Sequence, residues 1–416
     1  MLLLFSALLF SACDRDDDTS LIDEPMPTDT GLLAPKSCSD FDNTVQYNSN
    51  RAFAFDLLQS VNESESDEGP YAEENIFISP MSVSIALAML YNGASGAGIE
   101  QMDQVLRLNG LDLESHNQNY HCLIEEVTSL DNDVVLNIAN SIWSRNDFEA
   151  KEEFLNYADI FLDSEFLSRD FSDPAVLDEI NDWIANKTEG NITNALDMIP
   201  GNVVMYLINA IYFNADWKYS FDPELTFEGS FGTLSGDLSQ VEFMLQKNNY
   251  RFLEADQYKA IDIPYANDAF SLSIILPNQD INDFVADFSE AALVDAIDQM
   301  EETEVLLTMP KFELEFKLLL NDVLAEMGMP AVFKSGSLEN IQEGWDLFVS
   351  RVIHQTFLEI DEVGTEAAGV TIIEIAENTS IDPEPTMNVN RPFLFYIRDR
   401  VNNNVLFSGK IVDPNL

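Results

Sequence analysis

A chain of 416 residues, 46% of them hydrophobic, can bury a large core as one elaborate domain or two ordinary ones, so disorder is not its default state. Its 74 acidic residues face only 20 basic ones, and a formal charge of −54 without any basic stripe excludes nucleic acid and anionic membrane surfaces as partners. Three cysteines are too few for a disulfide scaffold, and charge on this scale reads as a solvated surface, not as a mechanism.

At the start, an apolar run from Leu2 to Phe10 ends in Ser11-Ala12-Cys13, a stretch of signal-peptide length that is too short to span a bilayer. It resembles the lipobox of bacterial lipoproteins, which implies that residues 1–12 are removed and that Cys13 carries lipid. The lack of Lys or Arg before the apolar run departs from that pattern. Residues 13–40 contain Asp16-Asp17-Asp18, Pro25, Pro27 and Pro35 with no apolar periodicity, and read as an acidic flexible tether. The globular body is then residues 41–416. This order of parts implies an exported protein, anchored through Cys13 on the outer side of a bacterial membrane or at the cell surface and touching the membrane nowhere else. Cys38 and Cys122 either pair or stay free.

In the body, Phe53, Leu57, Leu58 and Val61 fall at helical spacing between Tyr47 and Val61, and the charged stretch from Asn62 to Pro70 ends that helix. Ser79-Pro80 caps a second helix over Met81–Tyr91. Further helical stretches are Lys151–Leu162, Ala175–Thr188, Ala291–Met300 and Leu319–Gly328. Strand-like runs are Val134–Ile142, Val203–Phe213, Ala269–Leu276, Val305–Met309, Leu347–Ile360, Pro392–Ile397 and Val405–Val412. Helices early and strands late, without β-α-β alternation, predict an α+β fold with antiparallel or mixed sheets in a single large domain.

Catalytic and cofactor motifs are wanting. Gly93-Ala94-Ser95-Gly96-Ala97-Gly98 lacks the Lys-Ser/Thr ending of a phosphate loop and misses G-x-S-x-G by one residue. His116, His121 and His354 show no metal-ligand spacing, and the adjacent His121 and Cys122 point apart on a helix, so neither metal nor cofactor is expected. His354 shares a strand face with Val352, Thr356, Leu358 and Ile360, opposite Arg351, Gln355 and Glu359, and reads as a satisfied core residue rather than a catalyst.

The segment after that strand suits neither a core nor a plain loop. With period two, Thr365, Ala367, Gly369, Thr371, Ile373 and Ile375 form one uncharged face, small at its leading end and large at its trailing end. Glu366, Ala368, Val370, Ile372 and Glu374 form the other. Such a face can slide between two strands without desolvating a charge before Glu377. New ladder hydrogen bonds contribute about 1 kcal/mol each and ordering costs about 1–2 kcal/mol per residue, so strain in the uninserted sheet has to tip the balance. An edge strand followed by a loop is the alternative.

From about Phe41 to the C-terminus the chain resembles the serpins. The matching stretches are Asn75-Ile76-Phe77-Ile78-Ser79-Pro80-Met81-Ser82, Ile180-Asn181-Asp182-Trp183, and Leu207-Ile208-Asn209-Ala210-Ile211-Tyr212-Phe213 with Trp217. They continue through Ile263-Pro264-Tyr265, Met309-Pro310-Lys311-Phe312, His354, Arg391-Pro392-Phe393 and Leu406-Phe407-Ser408-Gly409-Lys410, in family order. The resemblance implies an α+β serpin fold, with three β-sheets, about nine helices and an exposed reactive-centre loop from Glu362 towards Arg391. It also implies a monomeric suicide inhibitor, not an enzyme, whose partner is a serine or cysteine protease trapped as an acyl-enzyme when the cleaved loop inserts into the central sheet.

Position by position, the hinge is Glu362 with Gly364, Thr365, Glu366, Ala367, Ala368, Gly369, Val370 and Thr371. Ser79, Ser82, Asn209 and His354 form the shutter, and Trp217 lies at the breach where insertion begins. The usual loop length places the reactive bond between Asn378 and Thr379, with Ile375, Ala376, Glu377 and Ile381 as alternatives. Val370, larger than the family's usual residue, and Ile99, in place of Thr, are departures. A non-inhibitory binding or structural protein on the same fold is the competing reading.

Overall fold

The first long helix, α1 (Thr44–Glu63), buries Phe53, Leu57, Leu58 and Val61 on one side, as their spacing predicts. After β1 (Ile76–Ile78), α2 (Pro80–Gly93) starts as the sequence suggests: Ser79 has extended backbone, its hydroxyl accepts from the Ser82 N–H at 3.2 Å, and Pro80 occupies the first turn. Almost every residue of α2 is buried, so this helix runs through the interior. Next come α3 (Ala97–Val105), α4 (Leu113–Ser129), β2 (Val135–Arg145), α5 (Glu152–Leu162), β3 (Ser164–Arg169), α6 (Ala175–Lys187) and β4 (Met205–Asn214). A strand-rich stretch follows: β5 (Phe227–Gly232), β6 (Leu238–Glu254), β7 (Tyr258–Pro264), β8 (Phe270–Pro277), then α7 (Ile281–Asp287), α8 (Glu290–Gln299) and β9 (Glu301–Pro310). The chain closes with β10 (Phe312–Leu319), α9 (Asn321–Glu326), β11 (Ile353–Ile360), β12 (Thr386–Asn388), β13 (Phe393–Asp399) and β14 (Val405–Ile411).

These elements come from a computed structural model that describes residues 34–40, 43–65, 70–364 and 385–416. Among them are nine α-helices and three sheets, the α+β architecture expected. The largest sheet runs β1-β14-β13-β8-β7-β6-β9-β12, with β5 also on β6. Two smaller sheets, β3-β2-β4 and β10-β11, are joined by no ladder among the described residues. In β2, Ile142 belongs to the main core while Trp143 packs with Ile180 and Ile184 of α6, because successive strand side chains take opposite faces. The sheet is therefore covered on both sides.

Several expectations need correction. The compact unit that contains the body runs from Ala34 to Leu416. Lys36 N–H donates to Gln118 Oε1 at 2.7 Å, and Cys38 and Cys122, left open by the sequence, form a disulfide. The strand expected over Leu347–Ile360 starts only at Ile353. Upstream, the backbone is satisfied outside any sheet: Val349 N–H donates to Val332 O and Leu320 N–H to Val352 O, each at 2.8 Å. The helix expected from Leu319 is shorter, Asn321–Glu326, because Leu319 is still paired with Ile353 in the β10–β11 ladder.

Candidate functional site

Between the two small sheets lies a cavity of about 440 Å³, with β4 residues Met205–Ile211 on one side and Leu347–Gln355 on the other. Among the described residues β4 pairs only with β2 and β11 only with β10, so the cavity, here called the slot, lies between two strands that share no ladder.

One end of the slot is closed by the chain leaving β11. Trp217 N–H donates to Val363 O at 2.9 Å, Phe221 N–H to Glu362 O at 2.7 Å, and Asp216 and Gly364 form an antiparallel bridge. The Trp217 indole N–H donates to Asp361 O at 2.8 Å while its ring stacks on Tyr265 at 4.5 Å. Gly364 is required at this crossing: its φ is +131°, and a Cβ would lie 2.5 Å from Ala215 O and Trp217 N. Burial opposes the charge of Glu362, but the Thr226 hydroxyl at 2.6 Å and the Lys311 ammonium at 2.9 Å more than offset it and hold its carboxyl below the usual range.

Beneath the slot, side chains from distant parts of the sequence meet. His354 Nε2 accepts from the Ser79 N–H at 2.9 Å, so this imidazole carries its proton on Nδ1. The Ser79 hydroxyl donates to Leu406 O at 2.8 Å, and the Ser82 hydroxyl donates to Asn209 Oδ1. Asn209 Nδ2 in turn donates to Asn140 Oδ1 at 2.7 Å, and Asn140 Nδ2 to Leu162 O at 2.7 Å. The network ties α2 to β4, β2 and β11. Ser79, Ser82, Asn209 and His354 thus stand together, as do Trp217, Glu362 and Gly364 at the closed end. The remaining hinge residues, Thr365, Glu366, Ala367, Ala368, Gly369, Val370 and Thr371, lie outside the described residues, as do Asn378, Thr379 and Cys13.

Sequence reasoning missed Asn140 and Thr226, which carry no signal of their own, and assigned no task to Lys311 although it stands in the quoted Met309-Pro310-Lys311-Phe312. Among the described residues, Cys38, His121 and Glu125 are near enough to share a metal ion, but the disulfide removes the thiolate such a site needs.

Burial pushes His354 down to about 4 and does the same to His116, which lies enclosed against Tyr91 and Tyr120. Both imidazoles stay neutral in the fold, whereas the unfolded chain protonates them near 6.5. Unfolding therefore takes up protons between pH 6.5 and about 4, and stability falls as pH drops through that window. Each histidine accounts for about 3 kcal/mol of the loss. Urea unfolding of wild type and His354→Asn at pH 7 and pH 4.5 checks this: the variant should lose less stability on acidification, and parallel losses would contradict it.

Relatives are found across domains of life. A serpin-like protein of Methanosarcina acetivorans is 30% identical over 99% of this chain and 97% of its own. The leukocyte elastase inhibitor of Equus caballus is 30% identical over 88% of this chain and 98% of its own. Among solved structures, the thermophilic serpin tengpin in its native state superposes with a TM-score of 0.81 at 29% identity, covering 92% of this chain and 96% of the other. With the family model "Serpin (serine protease inhibitor)" matching residues 48–414, the chain belongs to the serpin family.

Proposed function

We propose that this protein is an exported, lipid-anchored suicide inhibitor of serine or cysteine proteases that traps the acyl-enzyme by inserting its cleaved loop between β4 and β11. The observation that carries the reading is the open slot, closed at one end by the residues that lead into the loop. Continuing the antiparallel register of the Asp216–Gly364 bridge down β4 sets Thr365 opposite Ala215, Ala367 opposite Phe213 and Gly369 opposite Ile211. Thr371 then meets Asn209, Ile373 meets Leu207 and Ile375 meets Met205. Ala215, Phe213 and Ile211 are buried, so the uncharged face would turn inward and Glu366 and Glu374 outward, opposite the half-buried Asn214 and Tyr206. Insertion would add ladder bonds to two strand edges that face a cavity, and shift no charge into the core.

The name of the Equus caballus relative, leukocyte elastase inhibitor, is in line with inhibition. The Cys38–Cys122 disulfide fits an oxidising compartment outside the cytosol, where a Cys13 anchor would place the body.

A panel of serine and cysteine proteases tests the proposal. It predicts, with at least one, a complex that survives boiling in detergent, and a released C-terminal peptide whose first residue marks the reactive bond, Thr379 for cleavage after Asn378. Loop cleavage by every active protease with no complex would instead support the non-inhibitory reading.

A further inference from the structure

The slot has a chemical character that loop insertion does not use. In a chain where carboxylates outnumber cations 74 to 20, its lining holds two arginines, Arg145 and Arg351, against one carboxylate, Asp346. Arg145 is engaged, pairing with Asp147 and donating to Val203 O. Arg351 has no hydrogen-bond or ion-pair partner among the described residues, although nearly every other cation there has one. Both arginines gather at one end: Arg145 N–H donates to Val204 O at 2.9 Å, Trp143 is registered with Tyr206, and burial pushes the Tyr206 hydroxyl above its usual range while the nearby Arg351 charge opposes that rise only in part. From there the cavity runs along apolar walls that include Val83, Leu87, Leu90, Ile192 and Leu207. About 440 Å³ lies in the range of small-molecule sites, which are mostly apolar with a few fixed polar groups.

We propose that the slot binds small anionic amphiphiles, with a carboxylate head at Arg351 and an aliphatic tail against α2 and β4, and that the bound tail keeps the loop out. The regulatory half rests on the reading that the slot receives the loop. The binding half does not. An exposed guanidinium without a partner among the described residues, at the mouth of an apolar cavity, offers a planar pair of donors that matches a carboxylate. Elsewhere the strongly negative surface repels such a ligand, so binding would be confined to this mouth.

The test is calorimetric titration of the full-length protein with dodecanoate and with dodecanol, both below their aggregation limits. Dodecanoate should saturate at one equivalent and bind at least about tenfold more tightly than the alcohol. Arg351→Gln should bring the two to the same affinity, and Leu87→Trp, which fills the slot, should remove both. Equal binding of acid and alcohol to the wild type, or no saturable dodecanoate binding, overturns the proposal. Arg351 would then be left to pair with a glutamate of the inserted loop. Melting of the loop-nicked protein separates the two readings. A rise in melting temperature without dodecanoate binding removes the ligand site alone, and dodecanoate binding without a rise removes the inhibitor reading alone.

Discussion

Arginine in place of Thr365 is expected to abolish inhibition while leaving the protein folded and its loop cleavable. If the proposed insertion continues the register of the Asp216–Gly364 bridge, residue 365 would be the first to enter the slot and would come opposite Ala215, which is 1% exposed. A guanidinium there would lose its water with no carboxylate across from it, at a cost of several kcal/mol. Each 1.4 kcal/mol slows the inserting step about tenfold, so a penalty of about 3–5 kcal/mol slows it by about two to three orders of magnitude. The protease would then complete hydrolysis and leave. Gel analysis should show the detergent-stable complex replaced by cleaved protein and free protease. Complex at wild-type yield would mean that residue 365 does not face the interior, and the register would be wrong.

Loss of the Cys38–Cys122 disulfide should cost about 4–5 kcal/mol, the chain-entropy value for a link that spans 84 residues. The link fastens the start of the body to α4, where Lys36 also donates its N–H to Gln118 and its ammonium pairs with Glu114 at 2.9 Å. The ion pair is exposed and adds little, so the disulfide carries the attachment. Urea unfolding of Cys38→Ser, or of the wild type under reductant, should show the loss. An unchanged midpoint would mean that the two cysteines are not joined in solution.

Much of the fold was legible because it depends on local patterns. The α1 spacing and the Ser79-Pro80 start of α2 need only nearby residues. β10 was equally legible and was passed over: Phe312, Leu314, Phe316 and Leu318 alternate with exposed Glu313, Glu315 and Lys317. The 17-residue β6 was hidden for a physical reason, since it passes from pairing with β5 and β9 to pairing with β7 and its buried face follows no single period. The run 347–352 looks like strand because Leu347, Val349 and Val352 are β-formers, but its backbone bonds go to Val332 and Leu320.

The site divides in the same way. Its hinge pattern is a one-dimensional alternation and could be read directly. The hydrogen bonds from Ser79 to His354 and from Ser82 to Asn209 join residues far apart in the chain, and only family resemblance grouped them beforehand. Neither the Cys38–Cys122 pairing nor the place of Arg351 at the slot, without a partner among the described residues, had any sequence signal, because both depend on which neighbours the fold supplies.

Melting temperature before and after a single nick in the loop tests the account most directly. If the freed strand fills the slot, the nicked protein gains new ladder bonds on both edges and should melt at least about 6 °C above the intact one, the shift that about 5 kcal/mol produces in a chain of this size. The same melting temperature before and after the nick would show that the slot exerts no pull on the loop.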